Sequence, residues 1–297
     1  MRRTLALGTA VLILVLGLVG TAPPASSAPS NQTAFALTTT NKILRFRTYA
    51  PGTILSAVTV TGLEPGERLV GIDVRPATGE LWAVGDADRL YTIDPASGVA
   101  TERSVLSTPL DGRHLGVDFN PTVDRLRIVS DAEQNLRVNV DTGAVTIDGS
   151  LGYTGFLAAE DPKVTAAAYS NSQCGPPNPT PAPPEPRTTT LYDLDVRLDL
   201  LSSQAPPNDG VLNAVGGLGV NVRARAGIDI SGNDGTPYAA LDPATPSADA
   251  TSFLYRIDLT NGDAIRIGRI GTATTSRYVT DISIAFQGTC PVPAPPM

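Results

Sequence analysis

Three aspartates stand at equivalent places in short apolar segments that are typical of β-strands. Two related segments place Ala168 and Ser283 at the same position. Because alternate residues of a strand face opposite ways, these side chains share one orientation if the strands surround a common axis. The pattern therefore predicts a partial ring of carboxylates. The three segments are Gly71-Ile72-Asp73-Val74, Gly116-Val117-Asp118-Phe119 and Gly227-Ile228-Asp229-Ile230.

Three carboxylates held together could perform two kinds of chemistry. Asp73, Asp118 and Asp229 could bind a cation such as calcium, which takes oxygen ligands. They could also supply the acid and the base of a glycan- or lactone-type hydrolase. The structural alternative is that each aspartate accepts hydrogen bonds from backbone amides at the boundary of its unit. This alternative is favoured, because a repeat shows neither a cleft nor carboxyl groups with different pKa values.

A second group of polar residues is basic and falls within one unit of the chain. Arginine suits carboxylates and phosphates, so this group could bind a small anionic ligand. Several acids nearby favour instead an ordinary network of ion pairs, most of which contribute little at a surface. The candidate ligand-binding residues are Arg125, Arg127, Arg137 and Asn135, with Arg113 and His114 just before them and Asp124, Asp131, Glu133 and Asp141 among them.

Two further kinds of site find little support. His114 is the single histidine and would have to be the base of any serine triad, yet the chain has no Gly-x-Ser-x-Gly elbow. Two cysteines and one histidine cannot supply the four ligands of a structural zinc site. The sequence therefore predicts no cofactor, apart from calcium at the aspartates as an open alternative.

The elements that must position these residues come from an internal repeat. A glycine follows a strand-like stretch five times, with separations of 46, 45, 67 and 52 residues. The two long intervals contain inserts. Units of about 40 to 50 residues with four short strands each are typical of propeller blades. The five glycines are Gly52, Gly98, Gly143, Gly210 and Gly262.

The fifth unit is divided between the two ends of the chain. Three strands are expected at Phe35–Thr38, Ile43–Arg47 and Leu55–Val60, and a lone strand at Asp281–Phe286. One blade built from both ends would close a ring and remove the exposed sheet edges of an open array. The sequence predicts an all-β, five-bladed propeller over residues 34–287, with its core between neighbouring blades.

Several of these segments resemble an uncharacterised group of bacterial exported proteins, the domain-of-unknown-function family 4394. The resemblance extends over about Ala34 to Phe286. It implies a propeller-like exported domain and carries no activity or catalytic residue. The segments that carry it are 115–130, 134–143, Thr190-Leu191-Tyr192-Asp193 and 227–232.

The chain begins with features of a secretory leader. Arg2 and Arg3 precede an uncharged apolar run from Leu5 to Gly20, which is shorter than the ~20 residues of a membrane-spanning helix. Small residues and prolines follow. This order predicts a cleavable signal peptide at residues 1–28 and a secreted, extracellular protein.

Only two cysteines are present, and each opens a proline-rich segment. Cys174 begins an insert at 174–187, and Cys290 lies in a tail at 288–297. An even pair in an exported chain predicts one disulfide, with two free thiols as the alternative. Both cysteines follow predicted inner strands, so the bridge is expected near the axis on one face of the ring.

Charge limits the classes of partner. The chain has 29 acidic and 22 basic residues, a formal charge of −7. Nucleic acids and anionic membrane surfaces are therefore unfavourable partners. The leading hypothesis is a non-catalytic module that binds an extracellular ligand or protein. The alternative is the hydrolase that uses Asp73, Asp118 and Asp229 at the mouth of the central channel.

Overall fold

The computed structural model describes residues 31–177, 187–244, 251–272, 278–288 and 290. The expected leader lies outside these residues, as do 178–186 of the insert and 289 and 291–297 of the tail. In the described part, the strands form five antiparallel sheets of four strands, one with an added short strand, arranged as the blades of a propeller. The predicted all-β, five-bladed fold is confirmed.

The strands are numbered in chain order and grouped by blade. Blade 1 contains β1 (Thr33–Thr38), β2 (Lys42–Arg47), β3 (Ala50–Thr59) and β21 (Val279–Ile284). Blade 2 contains β4 (Leu69–Val74), β5 (Leu81–Gly85), β6 (Arg89–Ile93) and β7 (Ala100–Val105). Blade 3 contains β8 (Leu115–Asn120), β9 (Arg125–Ser130), β10 (Asn135–Asn139) and β11 (Ala144–Ile147). Blade 4 contains β12 (Gly152–Tyr153), β13 (Val164–Tyr169), β14 (Leu191–Asp195), β15 (Leu200–Gln204) and β16 (Val211–Gly217). Blade 5 contains β17 (Val222–Ile230), β18 (Pro237–Pro243), β19 (Phe253–Ile257) and β20 (Ala264–Arg269).

Helical structure is sparse in the described residues. It consists of two short 3-10 segments, η1 (Gly155–Leu157) and η2 (Pro207–Asp209). No helix of this part of the chain has the length and apolar character needed to cross a membrane.

Both ends of the chain contribute to blade 1, which is the fifth unit of the sequence repeat. Strand β21 pairs antiparallel with β1, with Ala34 opposite Ile284 and Ala36 opposite Ile282. Strands β1, β2 and β3 follow outward in order. The ring is therefore closed by hydrogen bonds between the first and the last strand, as the divided repeat predicts.

The inner strands of neighbouring blades lie close together, and in three of them a glycine two residues before the aspartate makes this possible. A Cβ atom on Gly116 would stand 2.5 Å from the backbone carbonyl carbon of Ala166 and from the nitrogen of Ala167. A Cβ atom on Gly227 would stand 2.5 Å from Asp281 Oδ1. Distances this short are not tolerated, so these positions require glycine for the close approach.

Gly116→Ala is therefore expected to destabilise the protein by about 1 to 3 kcal/mol, the usual range for overpacking. The obstacle is backbone of the next blade, which cannot rotate aside. Gly152→Ala is the matched control, because nothing lies within 4 Å of the added methyl group. Urea unfolding of both variants measures the difference. Equal midpoints for the two would contradict the close packing described here.

The apolar core lies between blades. One cluster joins Trp82 and Leu90 of blade 2 to Val117, Phe119 and Ile128 of blade 3. The rings of Trp82 and Phe119 meet edge to face, with centroids 6.2 Å apart. Because each blade is a single thin sheet, it buries its faces only against its neighbours. The axial strands are thus held in place from both sides.

The expected disulfide joins Cys174 to Cys290, 116 residues apart in the sequence. Cys174 follows the inner strand of blade 4, and Cys290 follows β21. The next residue, Gly175, donates a backbone hydrogen bond of 2.8 Å to the carbonyl of Pro76 in blade 2. The bridge therefore lies beyond the carboxyl ends of the inner strands, on the face that the sequence predicts.

Candidate functional site

The inner strands bring the three predicted aspartates together in the interior. One carboxylate oxygen from each of Asp73, Asp118 and Asp229 lies within 4.8 Å of the others. The three residues are only 7%, 2% and 5% exposed. Hereafter they are the axial acid cluster. Their equivalent repeat positions on β4, β8 and β17 are the reason that they converge.

Hydrogen bonds link this position of one blade to the backbone of the next. Asp73 Oδ2 accepts the Phe119 amide at 2.8 Å. Ser283 Oγ, at the same position on β21, accepts the Val74 amide at 3.0 Å. Asp229 Oδ2 accepts the Ile284 amide. These bonds are the ones that the structural alternative expects, with side chains at the repeat position accepting backbone amides of the neighbouring blade. They hold adjacent inner strands together.

We call these hydrogen bonds between adjacent inner strands the belt. The belt is incomplete at two of the inner strands. Ala168 occupies the equivalent position in blade 4 and has no side-chain acceptor. Asp118 Oδ1 is buried and has no hydrogen-bond partner. The cluster therefore contains one carboxylate oxygen whose bonding capacity the described protein does not use.

A fourth buried carboxylate lies beside the cluster, and the sequence analysis missed it. Asp281 Oδ2 accepts the Ile72 amide at 3.0 Å, and Oδ1 accepts the Ile282 amide at 2.9 Å. Asp281 precedes Ser283 by two residues on β21, so strand alternation places both on one face. That alternation is the signal that could have identified it.

The electrostatics of these carboxyl groups are dominated by burial. Burial raises the pKa of Asp229 to about 6. The pKa values of Asp73, Asp118 and Asp281 are also raised well above the ordinary range, first by burial and then by repulsion from neighbouring carboxylates. Among the described residues, no lysine, arginine or histidine forms an ion pair with any of the four. Their negative charge is thus compensated only by backbone and hydroxyl dipoles.

The predicted basic group has a different environment. Arg127 is 1% exposed, and its Nη1 donates to Asn135 Oδ1 at 2.7 Å and to Asp148 Oδ2 at 2.6 Å. Arg137 pairs with the same Asp148 at 2.7 Å. Arg125 lies apart and donates to the carbonyl of its neighbour Asp124. The structure therefore gathers three of the four candidates around an acid that sequence reasoning did not select.

The acids that the sequence analysis placed beside this group have other partners. Asp124 and Asp141 both bind Arg75, at 2.6 Å and 2.9 Å. Asn135 donates its amide hydrogens to the carbonyls of Gly149 and Pro207. The Arg75 pairs join blade 3 to blade 2, and the Asn135 bonds join it to the loops of blade 4. Few donors of Arg127 and Asn135 are left for a ligand.

A cavity of about 350 Å³ opens at the amino ends of the inner strands. Its basic side chains come from three blades, and we call it the basic mouth. Within the part of the chain that the structure describes, the guanidinium groups of Arg68, Arg113 and Arg225 form no ion pair. Arg225 stacks on the ring of Tyr278 at 4.8 Å. The residues that define the basic mouth are Arg68, Asp86, Arg113, His114, Arg225 and Thr280.

Neutral polar groups accompany these cations. Thr280 Oγ1 is buried without a partner, and so is Thr165 Oγ1 in a small adjoining cavity that His114 and Arg225 also line. Burial lowers the pKa of His114, with Arg225 and Arg113 acting in the same direction against Asp131. The imidazole is therefore neutral at pH 7 and can donate or accept a hydrogen bond.

Sequence reasoning named Arg113 and His114 but missed the rest of the mouth. Arg68 precedes Gly71 by three residues, as Arg113 precedes Gly116, while Arg225 precedes Gly227 by two. Aligning the repeats at their glycines would have placed these residues on one face of the ring.

Comparison with known proteins gives a family and a set of distant structures. Residues 42–283 match the model of a family described as Domain of unknown function (DUF4394). No curated protein matches the chain. One similar solved structure is a protein of unknown function from Bacteroides thetaiotaomicron VPI-5482, with 17% identity, TM-score 0.49, and coverage of 88% of this chain and 68% of that one.

Two further solved structures show comparable similarity. The nidogen/laminin complex matches with 11% identity and TM-score 0.48, over 86% of this chain and 99% of that chain. An auxiliary nutrient binding protein from Bacteroides ovatus ATCC 8483 matches with 16% identity and TM-score 0.40, over 61% of this chain and 43% of that chain. At such identities no function is transferred.

Proposed function

We propose that this chain, which belongs to the family described as Domain of unknown function (DUF4394), is a non-catalytic module that binds a small anionic ligand at the basic mouth. The observation that carries the proposal is the convergence of Arg68, Arg113 and Arg225, without ion-pair partners among the described residues, on one cavity. A guanidinium group presents a planar set of donors that matches a carboxylate or a phosphate.

The charge of the mouth is opposite to that of the whole protein. The chain has a formal charge of −7, whereas the mouth combines three arginines with one lining acid, Asp86. A concave site focuses its local field, so a small anion is attracted there despite the surrounding negative charge. A polyanion is not favoured, because it would also meet that surrounding charge.

The size and lining of the mouth suit a small molecule. Its volume of about 350 Å³ falls at the lower end of the usual range for ligand pockets. The unpartnered hydroxyl group of Thr280 and the neutral His114 provide directional hydrogen bonds beside the charges. This combination favours a compact hydroxylated carboxylate or a phosphate ester over an apolar ligand.

The hydrolase alternative has less support from the geometry. Asp73 and Asp229 already accept backbone hydrogen bonds, and the axial acid cluster is 2% to 7% exposed. A glycoside hydrolase needs two carboxyl groups that flank a substrate with room for a sugar. Turnover of a glycan or lactone that is lost in Asp73→Ala would overturn the non-catalytic assignment.

Export is part of the proposal and rests on the sequence. The leader expected at residues 1–28 and a disulfide between the only two cysteines both suit an oxidising compartment. The ligand would then be an extracellular one. Mass spectrometry of the protein from culture medium would give the mature amino terminus, and a cytosolic product with residues 1–28 intact would contradict export.

Removal of two arginines should weaken anion binding. We expect Arg113→Gln with Arg225→Gln to reduce affinity for citrate, glucuronate or inorganic phosphate by about 100-fold or more, since each charged hydrogen bond contributes about 1.5 to 3 kcal/mol. Isothermal titration calorimetry at low and high salt measures the effect. Arg89→Gln is the control, because Arg89 pairs with Glu102 outside the mouth. Failure of the wild-type protein to bind any of the three probes, or equal affinity in the double variant, would contradict the proposal.

A further inference from the structure

The geometry points to a second site, independent of the basic mouth, in which the axial acid cluster binds one calcium ion. Asp73, Asp118 and Asp229 would each contribute a carboxylate oxygen. The repeat position of the cluster, Ser283 on β21, lies three residues further along the inner strand than Thr280 of the mouth. At about 3.3 Å per residue this separation approaches 10 Å, so the two sites are distinct.

The donor set and its spacing suit calcium. All three donors are carboxylate oxygens, the hard ligands that Ca²⁺ and Mg²⁺ prefer. Oxygens on opposite sides of Ca²⁺ are about 5 Å apart at bond lengths of 2.3 to 2.6 Å, so three oxygens within 4.8 Å of one another can all bind one such ion. Mg²⁺ requires a near-ideal octahedron and usually keeps several waters, whereas Ca²⁺ accepts irregular sets of carboxylates, so a buried group of three carboxylates favours Ca²⁺.

The unpartnered oxygen of Asp118 is the independent observation. Asp118 is 2% exposed, and its Oδ1 accepts no hydrogen bond, although the side chain faces Asp73 and Asp229. A buried acceptor without a partner costs about 1 to 3 kcal/mol. Coordination of a cation at this oxygen removes that cost.

The charge of the site supports the same conclusion. Three carboxylates and the adjacent Asp281 lie in the interior without a described basic partner. A divalent cation would offset two of these charges at the point where they converge. Protons held by the carboxyl groups are the competing explanation, and direct measurement of metal separates the two.

The hydrogen bonds already present do not prevent coordination. A carboxylate oxygen has two lone pairs, and although Asp73 Oδ1 and Asp229 Oδ2 each accept two hydrogen bonds, Asp73 Oδ2 accepts only one and Asp118 Oδ1 none. These bonds hold the carboxylates in fixed orientations before any cation arrives. The arrangement resembles a preorganised ligand set, with the belt between blades acting as its support.

The test begins with the full chain, stripped with EDTA and dialysed against Ca²⁺. Inductively coupled plasma mass spectrometry should find one Ca²⁺ per chain, and calorimetry should give a Kd at or below about 1 mM, the weak limit for calcium modules. Thermal unfolding should shift upward with Ca²⁺. Absence of stoichiometric Ca²⁺ in the wild-type protein at several millimolar would overturn the inference without reference to any variant.

Variants locate the ion. Asp118→Asn should weaken Ca²⁺ binding by about 100-fold, since even outer partners of a metal contribute 10-fold to 100-fold. Asp193→Asn is the matched control, because Asp193 is equally buried with both oxygens unpartnered but lies outside the cluster. Asp229→Asn replaces Asp118→Asn if the latter does not fold. Unchanged Ca²⁺ affinity in a folded cluster variant, or an equal loss in Asp193→Asn, would overturn the inference. Anion binding at the basic mouth is measured separately, so the two results are distinguishable.

Discussion

Arg127→Ala is expected to lower the free energy of unfolding by about 3 to 5 kcal/mol, the range for removing one partner of a buried ion pair. The guanidinium of Arg127 is 1% exposed and bonds Tyr169, Asn135, Asp148 and Asn208. Truncation would leave these groups, which belong to blade 3 and blade 4, without their shared donor. The interface between the two blades would lose its central connection.

Asp148 accounts for much of the expected cost. Its side chain is 5% exposed and binds both Arg127 and Arg137. After truncation of Arg127 the carboxylate keeps only Arg137, whose side chain is 35% exposed and therefore partly screened by water. A buried carboxylate with a weakened partner is destabilising, because burial disfavours its charged form.

Urea unfolding at pH 7 measures this prediction. Arg125→Ala is the control, since Arg125 is half-buried and donates to carbonyls of its own turn, and a change within about 0.5 kcal/mol is expected. Arg127→Lys should recover little, because an ammonium group cannot reach four acceptors in a planar fork. A loss below about 1 kcal/mol in Arg127→Ala would show that the network contributes little to stability.

Much of the fold could be predicted because the blade repeat is local and regular. The strand at Leu200–Gln204 has the same bounds in sequence and structure. The last strand, expected at Asp281–Phe286, lies at Val279–Ile284, which shifts its ends by two residues. Outer strands were harder to predict: β3 begins at Ala50 rather than Leu55, because its first residues, which include Pro51 and Gly52, lack the alternation that marks a strand.

The candidate sites also differ in how far the sequence predicts them, according to whether their residues lie at repeat positions or in loops. Asp73, Asp118 and Asp229 could be found because a repeat position fixes both depth and orientation around an axis. Asp148 could not be found in this way, since it follows β11 in a connection and reaches Arg127 only through the tertiary fold. The mouth likewise joins Arg68 to Arg225 across the closed ring. The repeat pattern does not predict contacts that depend on the paths of the loops.

Asp193→Asn is expected to reduce the fall in the free energy of unfolding that the wild-type protein shows between pH 4 and pH 8. Asp193 is fully buried on β14, and neither carboxylate oxygen has a hydrogen-bond partner. Burial raises its pKa to about 8, against a smaller opposing effect of Arg127. The folded protein therefore keeps a proton on this group that the unfolded chain releases near pH 4.

The direction of the pH effect follows from that difference. Where the folded state holds more protons than the unfolded state, the free energy of unfolding falls as the pH rises. The stabilisation by Asp193 is complete below pH 4 and is lost as the pH approaches 8. At about 1.4 kcal/mol per pKa unit, the change is on the order of 5 kcal/mol. Asparagine carries no charge and should give a flatter profile.

Urea unfolding of metal-free protein at pH 5, 6, 7 and 8 tests the difference between wild-type and Asp193→Asn. The axial carboxyl groups change stability in the same direction, so the variant keeps a smaller slope rather than none. Asp209→Asn removes an exposed carboxyl group and should follow the wild-type profile. Parallel profiles for wild-type and Asp193→Asn would mean that Asp193 is charged at neutral pH, which would require a compensating group inside blade 4 beyond the contacts described here.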